Sequence, residues 1–385
     1  MRKLFAKMDK PLLFLTVLYS VLGLIMVFSA SSASAVLRYG VSPYFYFLRQ
    51  LMFVGAGFVL GFLILIRFPT SKYRFFTPIL VLGIIAALIG LFVYGVIVGG
   101  AQSWYDFGVF NFQPLEYAKT IMIIYMATYY SKQIKKKEAD LISYLIPIAI
   151  GIIMCVLIAM QPDLGGAIII AVIVFFLFIS VPLPKKNRQS LLKIVGVGLL
   201  LGGAVILFTG KSLISSNQLE RFNFKNPCDR YQEKTGYQVC NGFIAFQNGS
   251  WLGQGLGNSE QKYLYLPEAH TDFIFAIITE ELGLIIGILV VVGYGIILYR
   301  IYKIAKKSEN LRCSILAYGA FILLLSHILI NLLGILALIP LTGVPLPLLS
   351  YGGNFNLNVL ILLFVVQRVN IENDNNKAKR EIAEM

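Results

Sequence analysis

The chain has 385 residues, of which 58% are hydrophobic and only 14% charged, with a mean hydropathy of +0.77. Soluble domains run near 25% charged residues, so a water-soluble globular protein is excluded. The stretches from Pro11 to Leu37 and from Cys313 to Gln367 carry no Lys, Arg, Asp or Glu, and a spanning helix takes about 20 such residues. The sequence predicts an all-α polytopic membrane protein.

A net charge of +14 would suit a nucleic acid ligand, but its placement points elsewhere. Basic residues gather in short clusters between apolar runs: Arg2 to Lys10, Arg67 to Arg74, Lys132 to Lys137, Lys185 to Lys193, Arg300 to Arg312 and Arg368 to Arg380. They fall at every second connection, which is the positive-inside pattern. No nucleic acid partner is expected.

In chain order, spans are predicted near 11–36, 44–66, 75–99, 114–131, 141–160, 165–184, 191–210, 272–299, 313–338 and 354–370. That gives about ten, with both termini cytoplasmic. The first has a basic start and a small-residue tail, Ser29 to Ala35, like a signal peptide. Its apolar run exceeds the roughly 7–15 residues of a signal h-region, so it reads as a retained helix. The fourth is the least apolar, because Glu116 and Lys119 interrupt it.

Residues 1–385 read as a single membrane domain, with a large exoplasmic loop at 211–271 between helices 7 and 8 and a short cytoplasmic tail at 371–385. Long loops in compact proteins are usually functional or disordered. This one holds Cys228 and Cys240; in an oxidising compartment two such cysteines form a disulfide, and two free thiols remain the alternative. Its glycine-rich run, Gly249 to Gly257, lacks the βαβ setting of a dinucleotide site and reads as tight turns. Asn248-Gly-Ser250 matches a glycosylation sequon, which carries weight only in a eukaryotic source.

Ionisable residues at membrane depth are functional-site candidates by default. Glu116 and Lys119 lie three residues apart, close enough to pair on a helix, as a structural ion pair or a binding site. Asp163 sits in the turn Gln161-Pro-Asp-Leu-Gly165, where a helix cap is the plainer reading. Asp272 is expected to open the eighth helix, with Glu280 and Glu281 deeper along it. The two histidines, His270 and His327, are too far apart in sequence to suggest a zinc site. Neither a nucleotide-binding P-loop nor a Ser-His-Asp pattern is present.

The run Tyr265-Leu-Pro-Glu-Ala-His-Thr-Asp-Phe-Ile-Phe-Ala276, followed by Glu280-Glu-Leu-Gly283, resembles the signature of the SEDS family (shape, elongation, division and sporulation proteins; FtsW, RodA and SpoVE). Further matches follow in order: Val27-Phe-Ser-Ala-Ser-Ser32, Gly100-Ala-Gln-Ser-Trp104, Gln113-Pro-Leu-Glu-Tyr-Ala-Lys119, Gln161-Pro-Asp-Leu-Gly165, and Pro340 to Gly353. Two departures are Leu115 and Asn354, where the family usually has Ser. The first-span stretch and the Tyr-Leu-Pro-Glu-Ala-His form lean towards the division (FtsW) branch.

The resemblance implies a peptidoglycan glycosyltransferase that polymerises lipid II on the outer face of the bacterial cytoplasmic membrane. Hydrolysing a glycosidic bond commonly takes two carboxylates, whereas undecaprenyl pyrophosphate is a good leaving group, so one carboxylate base suffices. By the resemblance that base is Asp272. Lys119, beside Glu116, would face the diphosphate, and a divalent cation (Mg or Mn) is a second candidate for that charge. Trp104 either stacks on a sugar or anchors at the interface. Glu268 and His270 would orient Asp272, and the turn containing Ser350 would line the cavity. The implied partner is a class B penicillin-binding protein, a transpeptidase, among other divisome or elongasome membrane proteins. A lipid II flippase and a non-catalytic scaffold are the alternatives.

Overall fold

In the computed structural model the described residues are 2–98, 101–108, 110–134, 141–182 and 223–383, with single positions 189, 193 and 196. They form two compact units, one of Met1–Lys72 with Phe224–Met385 and one of Tyr73–Asn223. In chain order the helices begin with α1 (Arg2–Ala6), α2 (Lys10–Leu37), α3 (Phe45–Leu60), α4 (Tyr73–Tyr94), α5 (Pro114–Gln133) and α6 (Leu141–Ala159). They continue with α7 (Leu164–Ser180), α8 (Lys234–Gly249), α9 (Ile274–Lys307), α10 (Leu311–Ile335) and α11 (Gly353–Ala383).

Among the described residues, 7 helices are long and apolar enough to cross a membrane, and α7 is a shorter apolar helix. The protein is a multi-pass membrane protein. α5 forms at the expected fourth position, but its charged residues and tyrosines keep it outside the long apolar set. Apart from positions 193 and 196, the expected seventh span, 191–210, lies outside the described residues, as do Lys135, Lys136, Lys137, Lys185, Lys186 and Arg188.

In the Tyr73–Asn223 unit the expected third span is corrected at its end. α4 stops at Tyr94, and Val96–Val98 (β1) pairs with Ala101–Asp106 (β2), which pairs with Asn111–Phe112 (β3), all antiparallel. Val96, Ile97 and Val98 are apolar enough to extend a hydropathy window, but β-branched residues suit a strand. In the same unit Gln161 is buried and donates to the Leu88 carbonyl of α4 at 2.9 Å.

The other unit is tied together at the start of α2. Asp9 caps the helix, accepting from Leu12 N at 3.0 Å, and is paired with the Arg300 guanidinium of α9. Its backbone exchanges two hydrogen bonds with the Gln367 side chain of α11, at 2.8 and 3.0 Å. At the end of α3 a π turn, Gly61–Leu65, lets the backbone meet α11; a Cβ at Gly61 would stand 2.2 Å from the Phe364 ring.

α9 is broken at Gly283, whose φ is 87° and ψ 162°. An unbroken helix would bond Leu284 N to Glu280 O and Ile285 N to Glu281 O. Here Leu284 N donates to Ser250 O (2.9 Å) and Ile285 N to Trp251 O (3.3 Å), while Glu280 O and Glu281 O accept from Gln254 N and Gly255 N (both 2.9 Å). The glycine-rich segment after α8 is thus a strap that supplies both missing bonds. Its turns take positive φ at Gly253, Gly255 and Gly257. α8 reaches this place because Gly249 allows backbone contact: a Cβ there would lie 2.1 Å from Thr279 O. From the middle of α8 a disulfide joins Cys240 to Cys228 in the preceding turn.

Gly283→Ala should destabilise the protein by well over 1 kcal/mol, since Ala at positive φ is strained and its Cβ would meet Trp251 O at 2.4 Å. Thermal unfolding of purified protein in detergent checks this against Gly295→Ala, where the added methyl has nothing within 4 Å.

Candidate active site

Asp272 lies in a turn, two residues before α9, and does not open the helix as expected. The cap position is Phe273, with no side-chain cap bond. The turn is wound around Glu268, whose carbonyl accepts from Thr271 N (3.3 Å) and Phe273 N (3.1 Å). The Glu268 carboxylate takes the Thr271 hydroxyl at 2.8 Å. Phe273 is fully buried and packs towards Gly242 of α8, so the turn is anchored while the Asp272 side chain stays partly exposed.

A second segment grips this turn. Residues 336–352, between α10 and α11, run without regular helix or strand, yet Leu346, Leu348 and Leu349 are buried. Their backbone is satisfied by side chains from the surrounding helices. His327 meets Pro345 O at 3.3 Å, Tyr294 donates to Pro347 O at 2.5 Å, and Asn356 accepts from Leu348 N at 2.9 Å. Asn331 donates to both Val344 O (2.9 Å) and Asp272 O (2.8 Å). Ser350 is fully buried; its hydroxyl donates to Thr271 O at 2.6 Å and accepts from Leu346 N at 2.8 Å. Tyr351 N donates to His270 O at 2.8 Å. Three successive carbonyls, those of His270, Thr271 and Asp272, are therefore held from one side. Gly343, with φ 73°, passes so close that a Cβ would sit 3.3 Å from Asp272 Oδ2.

His270 is 6% exposed, with the rings of Tyr46 and Tyr351 at centroid distances of 4.7 and 5.5 Å. Among the described residues no hydrogen bond reaches its Nδ1. Burial, with the Arg38 charge second, pushes its pKa down to about 4. His270 is a neutral wall of the Asp272 turn at neutral pH, and Ser350 is a backbone clamp; neither is placed as an open ligand-binding group.

The other candidates belong to the Tyr73–Asn223 unit. Lys119 and Glu116 pair at 2.9 Å and are both buried. Asp163 caps α7, accepting from Gly166 N at 2.9 Å. Trp104, on β2 opposite Val96, is half-buried. Leu115, one of the two departures from the family pattern, is buried and fills the space above Gly166. Among the described residues no group of three or more His, Cys, Asp or Glu side chains could hold a metal ion. Glu281 was expected deep on the eighth helix, but its buried ion pair with Lys262 was not, because 19 residues separate the two.

The His270 environment sets a pH dependence. An unfolded His binds a proton below its ordinary pKa of 6.5, while the folded one waits until about 4, so stability is full above about 6.5 and is lost as pH falls towards 4. The melting temperature should drop over that window, and His270→Phe should flatten the drop.

The chain matches the FtsW/RodA/SpoVE family of cell cycle proteins over residues 10–375. It is 36% identical over 386 aligned residues to a Bacillus subtilis (strain 168) protein named probable peptidoglycan glycosyltransferase FtsW, covering 99% of this chain and 95% of that one. A Marinomonas mediterranea protein of the same name is 32% identical, with 96% and 89% covered. A solved chain from work on structural coordination of polymerization and crosslinking by a peptidoglycan synthase complex superposes with a TM-score of 0.73 at 25% identity, covering 95% of this chain and 98% of that one. The rod shape determining protein RodA of Thermus thermophilus shares the fold, with a TM-score of 0.65 at 24% identity and coverage of 94% and 96%. The ordered motifs, the apolar helices and the gripped Asp272 turn thus belong to a member of the FtsW/RodA/SpoVE family.

Proposed function

We propose that this protein is a peptidoglycan glycosyltransferase of the bacterial cytoplasmic membrane, with both termini cytoplasmic, that polymerises lipid II on the outer face. The observation that carries the reading is the Asp272 turn: a partly exposed carboxylate whose own carbonyl and the two before it are fixed by Asn331, Ser350 and Tyr351. Such fixing is what a base needs to meet a substrate hydroxyl in one geometry.

In this reading Asp272 takes the proton from the GlcNAc 4-hydroxyl of the acceptor as that oxygen attacks C1 of the donor MurNAc. The C1–O bond to the diphosphate breaks, its electron pair leaves with undecaprenyl pyrophosphate, and a β-1,4 link forms with inversion. Asp272 then releases its proton to water. The family resemblance alone offers Lys119, buried against Glu116, for the diphosphate and Trp104 for a sugar. Asp163 supports the start of α7, and Glu268 holds the turn through Thr271. No step is routed through a metal ion. The likeness to a chain from a peptidoglycan synthase complex supports a class B penicillin-binding protein as partner, within a divisome or elongasome assembly.

Two outcomes test this. Asp272→Asn should lower glycan synthesis from lipid II by about 10²–10⁴-fold, the usual worth of a general base. The backbone bonds of the turn are unaffected by that change, so expression and partner binding should persist. Asp272→Glu moves the carboxylate by about 1 Å and should cost about 10²-fold. Wild-type polymerisation by Asp272→Asn would remove the base and return the flippase or scaffold alternatives. Separately, adding the cognate class B transpeptidase should raise the polymerisation rate of the purified protein, measured as strand product on gels. An unchanged rate with every such partner of the source organism would refute the partnership.

A further inference from the structure

The segment that carries Asp272 is closed at both ends by an ion pair that the proposed chemistry does not use. Lys262 Nζ lies 3.0 Å from Glu281 Oε1, with side-chain exposures of 4% and 0%. The two residues are 19 apart in sequence, and Asp272 lies between them. Lys262 also donates to Gly257 O at 2.5 Å and to Ser29 Oγ at 3.3 Å. The Ser29 hydroxyl, from α2, donates to both Glu281 oxygens at 2.6 and 2.7 Å. Next door, Glu280 is fully buried and accepts from the Ser259 hydroxyl, Asn248 Nδ2 (3.2 Å) and Glu260 N (3.3 Å). The network therefore ties three pieces of chain at the Gly283 break: α2, the strap and its continuation, and the first part of α9.

A buried ion pair is weak evidence for stability, since apolar residues of similar volume often do as well or better. What an apolar pair lacks is direction. Lys262 has donors aimed at a carboxylate, a carbonyl and a hydroxyl at once, and those aims fix the register of the loop against α9. On its other side the loop is fixed by Asn331, Ser350 and Tyr351. A turn held at only one of these sides can shift as a body.

We infer that Lys262 and Glu281 are positioning residues, whose buried, directional ion pair sets the place of the Asp272 carboxylate against the substrate hydroxyl. The inference rests on the reading of Asp272 as general base. It assigns the pair no contact with substrate, so its loss acts on the chemical step and leaves lipid binding alone.

The test uses the full chain with its transpeptidase partner in detergent, with purified lipid II as substrate. Melting temperature, kcat and KM are measured for Lys262→Met, Glu281→Leu and the double variant. Each single change leaves one buried charge without its partner and should lower the melting temperature together with kcat. The double variant should recover the melting temperature, yet keep kcat at least about 10-fold down with KM within about twofold, as expected for a misplaced base. Its acid limb in the pH–rate profile should also shift, because the surroundings of the carboxylate have changed. A double variant that regains wild-type kcat along with its stability would show that the pair is only packing, and overturn the inference. Should the double variant fail to fold, Glu281→Gln, which keeps the volume, carries the same comparison: reduced kcat at unchanged KM supports positioning, and wild-type kcat refutes it. Asp272→Asn is assayed alongside. If it polymerises at the wild-type rate, the catalytic reading fails whatever the pair variants do; if it is dead and the pair variants keep wild-type kcat, only the positioning inference fails.

Discussion

A backbone that stops being helical inside an apolar bundle leaves amide and carbonyl groups that water cannot reach, and each unanswered group costs several kcal/mol. The unit that holds Asp272 contains two such interruptions, at Gly283 and along residues 336–352. Both are answered, by different means. At Gly283 another stretch of backbone provides the missing partners, so the strap must sit at one depth and in one register. Along 336–352 the partners are side chains: Asn331, His327, Tyr294, Asn356 and Ser350. His327 and Asn331 of α10 and Asn356 of α11 are buried polar residues that serve the coil beside them.

The Asp272 turn is placed by these two repairs. Ser350 and Asn331 each serve the coil and the turn with the same side-chain group. The strap ends at Gly257, whose carbonyl receives Lys262, and from there the chain leads directly into the turn. A carboxylate can remain partly exposed in a loop and still be held in one position, because the loop is not a free connection. Its mobility is limited by the same bonds that make the broken helices tolerable.

The helices were legible in the sequence because long uncharged runs have few other fates, and the Glu116–Lys119 pair was legible because three residues bring two side chains together on a helix. The coil at 336–352 falls between the expected spans 313–338 and 354–370, but the break at Gly283 was not legible. Hydropathy averages over about 20 residues, so one glycine at positive φ inside Ile274–Lys307 leaves no trace. The need for it comes from the strap, whose backbone crosses there. The short sheet after α4 was hidden for the same reason, as Val96, Ile97 and Val98 continue an apolar run. In the site, the motif pointed to Ser350, His270 and Glu268, but their roles depend on which atoms face the turn. Spacing along the chain carries no such information. Lys262 and Glu281 needed the folded loop to become neighbours at all.

The division of the chain also dictates an order of assembly during synthesis. One unit is made of Met1–Lys72 and Phe224–Met385, with the whole of Tyr73–Asn223 inserted between. Asp9 meets Gln367 across 358 residues, and Lys7 meets Asn375 across 368. At about 5–20 residues per second, the first helices wait roughly 20–70 s for these partners, while Glu116 and Lys119, three residues apart, are made almost together. Over that interval α2 presents Ser29, which ends up buried, without the Lys262 and Glu281 side chains that it later meets. The nascent chain thus holds a half-complete bundle until its last helices are made. A nonsense change close to the C-terminus would strand the first helices as well as remove the last.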